Sequence, residues 1–389
     1  MAHRKPGARP WSRPLRSAPA VALAAALATV LAAAACTSAP ASAGSGTGAA
    51  RGSASPAISA SQARQVFGRY VAAAAKAVSP ASASPVLSLV TGVEQADLTA
   101  TLARHSVVVN GTAPNGAYSS SLTVKPDLPV YTYGAPVFYL PAAAGYPRFF
   151  VASVTRTLRG ANGATTGAGG AQVPPDGPAL MLFEQAGAGA PWLLGSISQL
   201  PAGVTPPKLA ADSAGYVPAV PLSDASLVAQ PDDTGPLQAG VVDDGPASAA
   251  TRAVADGPLT TGIYQGAVDH AGGLTAPRGD DYQWELDGSS LPQFALRTAA
   301  GGALVFYAMT LTTTVAVPDV INKADPVHSG PPIQVPLAVR MLLPPGRPAP
   351  LVQLSSYQTL SFAAVDPAPG NAKIQVIAIG GGLTGASAS

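Results

Sequence analysis

Arg148-Phe-Phe-Val-Ala-Ser-Val-Thr-Arg-Thr-Leu158 is the stretch on which the fold class turns. It is rich in Val, Phe and Thr and stands between glycine-rich breaks, so it reads as a strand. The same reading extends to Ser106–Asn110, Val130–Tyr133 and Val137–Leu140 before it, and to Ala179–Gln185 and Trp192–Gln199 after it. Gln185-Ala-Gly-Ala-Gly-Ala-Pro191 looks like a hairpin connection, and Gly160–Pro178 like a long glycine-rich loop. Further upstream the period changes. Val66, Phe67, Tyr70, Val71, Ala74 and Val78 form one apolar stripe, which predicts a helix over Ser61–Val78 with Ser61 as cap and Pro80 past its end. A second helix is expected from Ser84-Pro85, carrying Leu89, Val93, Leu98 and Leu102, with Gly92 as its weak point.

The second half runs in the same order. Ala247–Ala255 and Leu259–Val268 are helix-like; Tyr282–Leu286, Gln293–Thr298, Ala303–Val315, Val335–Leu343, Leu351–Ser356 and Ile374–Ile379 read as strands. Phe149-Phe150-Val151-Ala152 matches Val305-Phe306-Tyr307-Ala308 in character. Leu182-Phe183 and Trp192-Leu193 match Met341-Leu342 and Leu351-Val352 at a constant offset of 159. The shared order points to a duplication. The expected fold class is therefore α+β, with two tandem helix-plus-twisted-antiparallel-sheet modules at 60–200 and 247–380. A Pro/Asp/Gly-rich linker is expected at 201–246 and a frayed tail at 381–389.

The helix–helix–strand order resembles the NTF2-like (cystatin-like) architecture. Two short words, Pro136-Val-Phe-Tyr-Leu-Pro141 followed by Gly145-Tyr-Pro-Arg-Phe-Phe150, and Gly189-Ala-Pro-Trp192 ahead of a strand, resemble a family of uncharacterised actinobacterial surface lipoproteins. That resemblance implies a surface lipoprotein and assigns a role to no residue except Cys36.

The N-terminus supports the same address. Met1–Arg16 holds five cations, Arg4, Lys5, Arg9, Arg13 and Arg16, and nothing charged lies between Ser17 and Cys36. A basic segment, an apolar run around Val21–Leu31 and small residues up to Ala35 have the layout of a secretory signal peptide over 1–35. Ala33-Ala34-Ala35-Cys36 resembles a lipobox, departing from it where Ala33 stands in place of the usual Leu. Cys36 is the only cysteine, at the one position where a diacylglyceryl group can be attached before cleavage. A single acyl chain binds membranes marginally, whereas two chains anchor stably. The Ser/Ala/Gly/Thr/Pro-rich stretch from Thr37 to Ser59 reads as a disordered tether, making 36–59 a lipidated cysteine plus spacer. The expected location is the extracytoplasmic face of the plasma membrane.

Charge excludes some classes of partner. The 22 basic and 20 acidic residues become 17 and 20 once the five N-terminal cations are removed, a net of −3. No Lys/Arg cluster follows, so no footprint for nucleic acid is present. Apolar residues make up 47% and charged ones 11%, enough for sizeable cores.

A catalytic or metal set is hard to assemble. His3 lies in the signal segment, and His105, His270 and His328 are far apart. No histidine pair has metal-ligand spacing, and no cysteine is free to serve as a zinc ligand. Asp232-Asp233, Asp243-Asp244 and Asp280-Asp281 lack calcium-loop spacing and read as solvated turn residues. Asp97 and His105 are a weak general-base pair at best, and His105 fits better as a cation near a helix C-terminus. Tyr131, Tyr133, Phe138, Tyr139, Tyr146, Phe149 and Phe150 either line a pocket or fill a core, and core is the better reading for most. Cys36 is thus the one assigned site, with no cofactor and no metal expected. The leading expectation is a non-enzymatic envelope protein that binds a partner protein or small ligand. A pocket enzyme and a structural spacer are the alternatives.

Overall fold

Arg148–Leu158 is a strand covered on both faces. Phe149 and Val151 enter one core, and Phe150, Ala152 and Val154 enter another. A strand between two apolar layers shows no alternation of apolar and polar residues, which is why this run is nearly continuous in Val, Phe and Ala. The computed structural model describes residues 56–106, 128–142, 145–159, 176–278, 280–316, 333, 335–343, 353–370 and 372–389. Cys36, the signal segment, most of the tether, His3, His328 and residues 107–110 of the expected strand Ser106–Asn110 lie outside them.

The main elements in chain order begin with α1 (Ala60–Ala74), α2 (Ser84–Leu87) and α3 (Gly92–Ser106). Strands β1 (Tyr131–Tyr133), β2 (Val137–Ala142), β3 (Arg148–Leu158), β4 (Gly177–Gln185), β5 (Leu193–Gln199) and β6 (Tyr216–Pro218) follow. Then come α4 (Thr234–Asp244), α5 (Thr261–Arg278), β7 (Asp281–Gly288), β8 (Phe294–Arg297) and β9 (Ala303–Ala316). Last are α6 (Leu337–Arg340), β10 (Gln353–Asp366) and β11 (Gln375–Ala388). The cap of α1 is Ser59 rather than Ser61. Its hydroxyl accepts from the Gln62 amide while the Gln62 side chain accepts from the Ser59 amide, a reciprocal capping box. The second predicted helix is broken after Leu87 and resumes at Gly92. Gly92 adopts φ +56° as the first residue of α3, a conformation open to glycine at low cost.

The eleven strands among the described residues belong to one sheet, ordered β6-β2-β3-β4-β5-β11-β10-β9-β7, with β1 also on the edge of β3 and β8 on the edge of β9. The two ends of this path approach each other. Ala219 bridges Leu296 in β8, the Val220 amide donates to Ala295 O at 2.9 Å, and the Ala210 amide donates to Arg297 O at 3.0 Å. The result is a nearly closed barrel. Phe149, Val151, Leu180, Leu182, Phe294, Leu296, Leu304 and Phe306 fill one core, where Phe149 stacks on Phe294 at 4.5 Å between ring centres. On the opposite face of β3 and β4, Phe150, Met181 and Phe183 pack against α1 through Val66, Phe67 and Tyr70. Tyr307, Met309, Phe362 and Ala364 form a third core with Val241 and Val242 of α4 and Ile263 of α5.

This corrects the expectation of two tandem α+β, NTF2-like modules. The strands of the two halves are continuous in one mostly-sheet barrel, with few helices laid on it. The reason lies at the seam. β5 and β11 pair at Gln199 and Ile379, and the Ser198 and Ser361 hydroxyls share a buried hydrogen bond of 3.0 Å. Phe149 of one half stacks on Phe294 of the other, so the core these two share is completed only when both halves come together. One internal match does fall on comparable strands, with Phe149–Ala152 in β3 and Val305–Ala308 in β9. The match at the offset of 159 does not extend to structure at Met341-Leu342, which lies in the turn that follows α6 instead of in a strand, and Leu351-Val352 lies outside the described residues. The stretch 201–246 carries β6 and α4 and helps to close the barrel, and residues 380–388 continue β11.

Candidate functional site

Arg148 opens β3 and pairs in register with Gln185, the last residue of β4. Alternation along β3 places Arg148 on the same face as Phe150, towards the α1 layer. Trp192, just ahead of β5, lies 5.3 Å from the Phe150 ring and so leans over the same end of the sheet. Two further pieces complete the rim. The Ala57 amide donates to Pro141 O at 2.9 Å, which ties the chain ahead of α1 to the end of β2, and β6 pairs parallel with β2 through Leu140 and Tyr216. The cavity is open to solvent on one side, measures about 450 Å³ and is lined by Ser59, Gln62, Tyr146, Arg148, Gln185, Trp192 and Tyr216 together with residues 56–58. Small-molecule sites span about 300–1,000 Å³.

The lining has a definite chemistry. The Arg148 guanidinium lies 4.7 Å from the centre of the Tyr146 ring, and its Nε is buried without a hydrogen-bond partner. Among the described residues, no Asp or Glu lines the cavity. Each glutamine is held at one end. Gln62 Oε1 accepts from the Ser59 amide and hydroxyl, leaving its Nε2 as a donor, and Gln185 Nε2 donates to Ala190 O at 2.7 Å, leaving its Oε1 as an acceptor.

A second polar group gathers near α1 and α3. Glu94 in the first turn of α3 is surrounded electrostatically by Asp97, Arg156 and Tyr70. Burial, and then Asp97, raise its carboxyl to about 7, against the smaller lowering effects of Arg156 and Tyr70. Burial likewise raises Asp97, although Arg104 and Arg156 oppose it. Burial is also the leading cause that brings Asp243 and Asp366 to about 6. A carboxyl raised in the folded state binds more protons there than in the unfolded chain, so stability falls as pH rises between the two values. We expect a higher melting temperature at pH 5.5 than at pH 8. Glu94→Gln should raise stability at pH 8 by about 1–3 kcal/mol and flatten the profile, one pKa unit being worth about 1.4 kcal/mol. Loss of the charge at the helix start, about 0.3–1 kcal/mol, is the smaller effect. An unchanged pH profile in calorimetry would contradict this assignment.

The other residues singled out from sequence are dispersed. Asp97 and His105 both lie on α3, eight residues and hence about 12 Å apart along the axis, and the cations acting on Asp97 are Arg104 and Arg156. The His270 ring meets Tyr282 at 5.0 Å. Asp243 accepts from the Leu286 amide at 2.9 Å, so it joins α4 to β7 instead of standing solvated in a turn. Among the described residues, no group of three or more His, Cys, Asp or Glu is placed to hold a metal. Tyr133, Phe138, Tyr139, Phe149 and Phe150 are core or core-packed residues, while Tyr131 lies beside Arg156 at 4.2 Å and Tyr146 lines the cavity.

Sequence reasoning assigned no role to Arg148, Gln62, Gln185, Trp192 or Tyr216. A signal was nevertheless present. The words Gly145-Tyr-Pro-Arg-Phe-Phe150 and Gly189-Ala-Pro-Trp192, more than forty positions apart, supply Tyr146, Arg148 and Trp192 to one cavity. No curated protein and no solved structure matches the chain. One family model does, over residues 54–388, so the whole barrel belongs to the family described as "Domain of unknown function (DUF8094)".

Proposed function

We propose that this chain is a non-enzymatic binding protein, lipid-anchored through Cys36 on the extracytoplasmic face of the plasma membrane, which holds a small ligand in the cavity beside α1. The observation that supports binding is the 450 Å³ cavity, with three aromatic rings, two half-engaged amides and an arginine converging on it. Such a mixture of apolar faces and few oriented polar groups is the usual make-up of a ligand site. Anchoring rests on Ala33-Ala34-Ala35-Cys36 and the cation-rich, then apolar, segment ahead of it. Among the described residues, no helix is long and apolar enough to cross a membrane. The cavity borders residues 56–59, the stretch that leads into α1.

Two measurements test the two parts. Cys36→Ser should move the protein from the membrane fraction to the soluble fraction, and equal retention by the bilayer would refute lipid anchoring. Native mass spectrometry of protein extracted from membranes should show a bound small molecule that Trp192→Ala loses. Identical spectra for the two proteins would refute binding in this cavity.

A further inference from the structure

We infer that the ligand of this cavity is a saccharide bearing a carboxylate, held by Arg148 and stacked on Trp192 and the flanking tyrosines. The inference rests on the cavity being a binding site and deepens that reading. Charge is the first argument. Among the described residues, Arg148 is the one charged residue in the lining, no carboxylate accompanies it, and it makes no ion pair. Its Nε is buried and unpaired, whereas buried polar groups are normally satisfied. The planar guanidinium matches a carboxylate in bidentate geometry. Tyr146 packs against the guanidinium at 4.7 Å, which limits its freedom to turn towards solvent.

Shape and polarity narrow the class. Trp192, Tyr146 and Tyr216 bring aromatic rings to the lining, and a pyranose ring packs its C–H face against such rings. An unsubstituted aromatic acid such as benzoate would also stack, but it has no hydroxyl to meet the amides. Gln62 Nε2 offers a donor and Gln185 Oε1 an acceptor, each pre-oriented by the hydrogen bond at the other end of its amide. A hydroxyl both donates and accepts, so one sugar can satisfy this pair. Leaving either unmet on binding would carry a desolvation cost.

The test is isothermal titration of the full chain with glucuronate and N-acetylmuramate. Glucose and N-acetylglucosamine serve as uncharged counterparts and benzoate as an aromatic anion. Both acidic sugars should bind at least about ten-fold more tightly than their uncharged counterparts, the range expected for one charge-assisted hydrogen-bonded pair. Arg148→Gln should remove that difference while leaving the weak affinity for the neutral sugars, and Trp192→Ala should weaken acidic and neutral sugars alike. Equal affinity for acidic and neutral sugars would overturn the carboxylate. Tighter binding of benzoate than of either acid sugar would overturn the saccharide and leave the cavity a binding site. Failure of all five probes would overturn the inference. Only identical native spectra for the wild-type and Trp192→Ala proteins, with no Trp192-dependent molecule in either, would overturn the binding reading beneath it.

Discussion

Gly380→Ala should cost this protein about 3 kcal/mol or more, at or above the usual 1–3 kcal/mol of overpacking. A methyl group at this position would stand 1.7 Å from the Ile197 carbonyl oxygen and 2.8 Å from Ser361 Oγ. The first obstacle is backbone, so no rotamer change relieves it. Gly380 follows Ile379, the β11 residue that pairs with Gln199 of β5, and the Ser198–Ser361 hydrogen bond lies alongside. A Cβ here pushes β5 and β11 apart at the seam between the two halves of the barrel. The expected readout is a large fall in the urea midpoint, with loss of protection of the β5 and β11 amides in hydrogen exchange. Gly266→Ala makes the matching control. Gly266 lies in α5 with open space around it, and alanine there should add about 0.5–1 kcal/mol through helix propensity. A Gly380→Ala protein as stable as wild type would show that the two strands do not meet closely at this seam.

Phe150→Ala should cost a comparable amount, about 3–5 kcal/mol, the range for large-to-small aromatic substitutions in cores. Phe150 is fully buried and stacks on Phe183 at 4.8 Å with ring planes 4° apart. Phe138 and Trp192 lie against it at 6.1 and 5.3 Å. The opposite wall is the face of α1 that carries Phe67, whose ring meets Phe183 edge-on at 6.4 Å. Removing the ring leaves a void that rigid neighbouring strands cannot close. For a chain of this size the fall in melting temperature should be on the order of 10 °C. The substitution also reaches the cavity, because Trp192 would lose the surface on which it leans. Phe150→Ala should therefore weaken ligand binding even though Phe150 does not line the site. Phe150→Leu, which keeps most of the volume, should recover much of both losses. Loss of stability with unchanged binding would detach Trp192 from the core.

Several local features were legible from residue type alone, because their causes are local. β3 occupies Arg148–Leu158, the span its β-branched and aromatic residues predict, and β4, β8 and β9 lie close to their expected runs. The apolar stripe of α1 was equally plain, and Val66, Phe67 and Tyr70 are its buried face. Val335–Leu343 misled. It has strand-like residues, but Pro336 leads into the short helix α6 instead. Residues 380–388 misled in the other direction. Small residues look like a frayed tail, yet β11 continues through them, and at Gly380 the lack of a side chain is what the close approach of β5 requires.

By itself the amino-acid sequence determined several of the secondary elements, the burial of most of the aromatic runs and the chemical resources of the chain: one cysteine, scattered histidines and no basic cluster beyond the N-terminal segment. Only the tertiary structure decided that one sheet, and not two, contains those strands. Helix and strand periods report neighbours within an element, whereas the pairing of Gln199 with Ile379 and of Ala219 with Leu296 joins residues 180 and 77 positions apart. The cavity is of the same kind. Tyr146, Arg148, Gln185, Trp192 and Tyr216 each looked ordinary in the chain, and they become a site because the ends of β2, β3, β4 and β6 converge beside the start of α1.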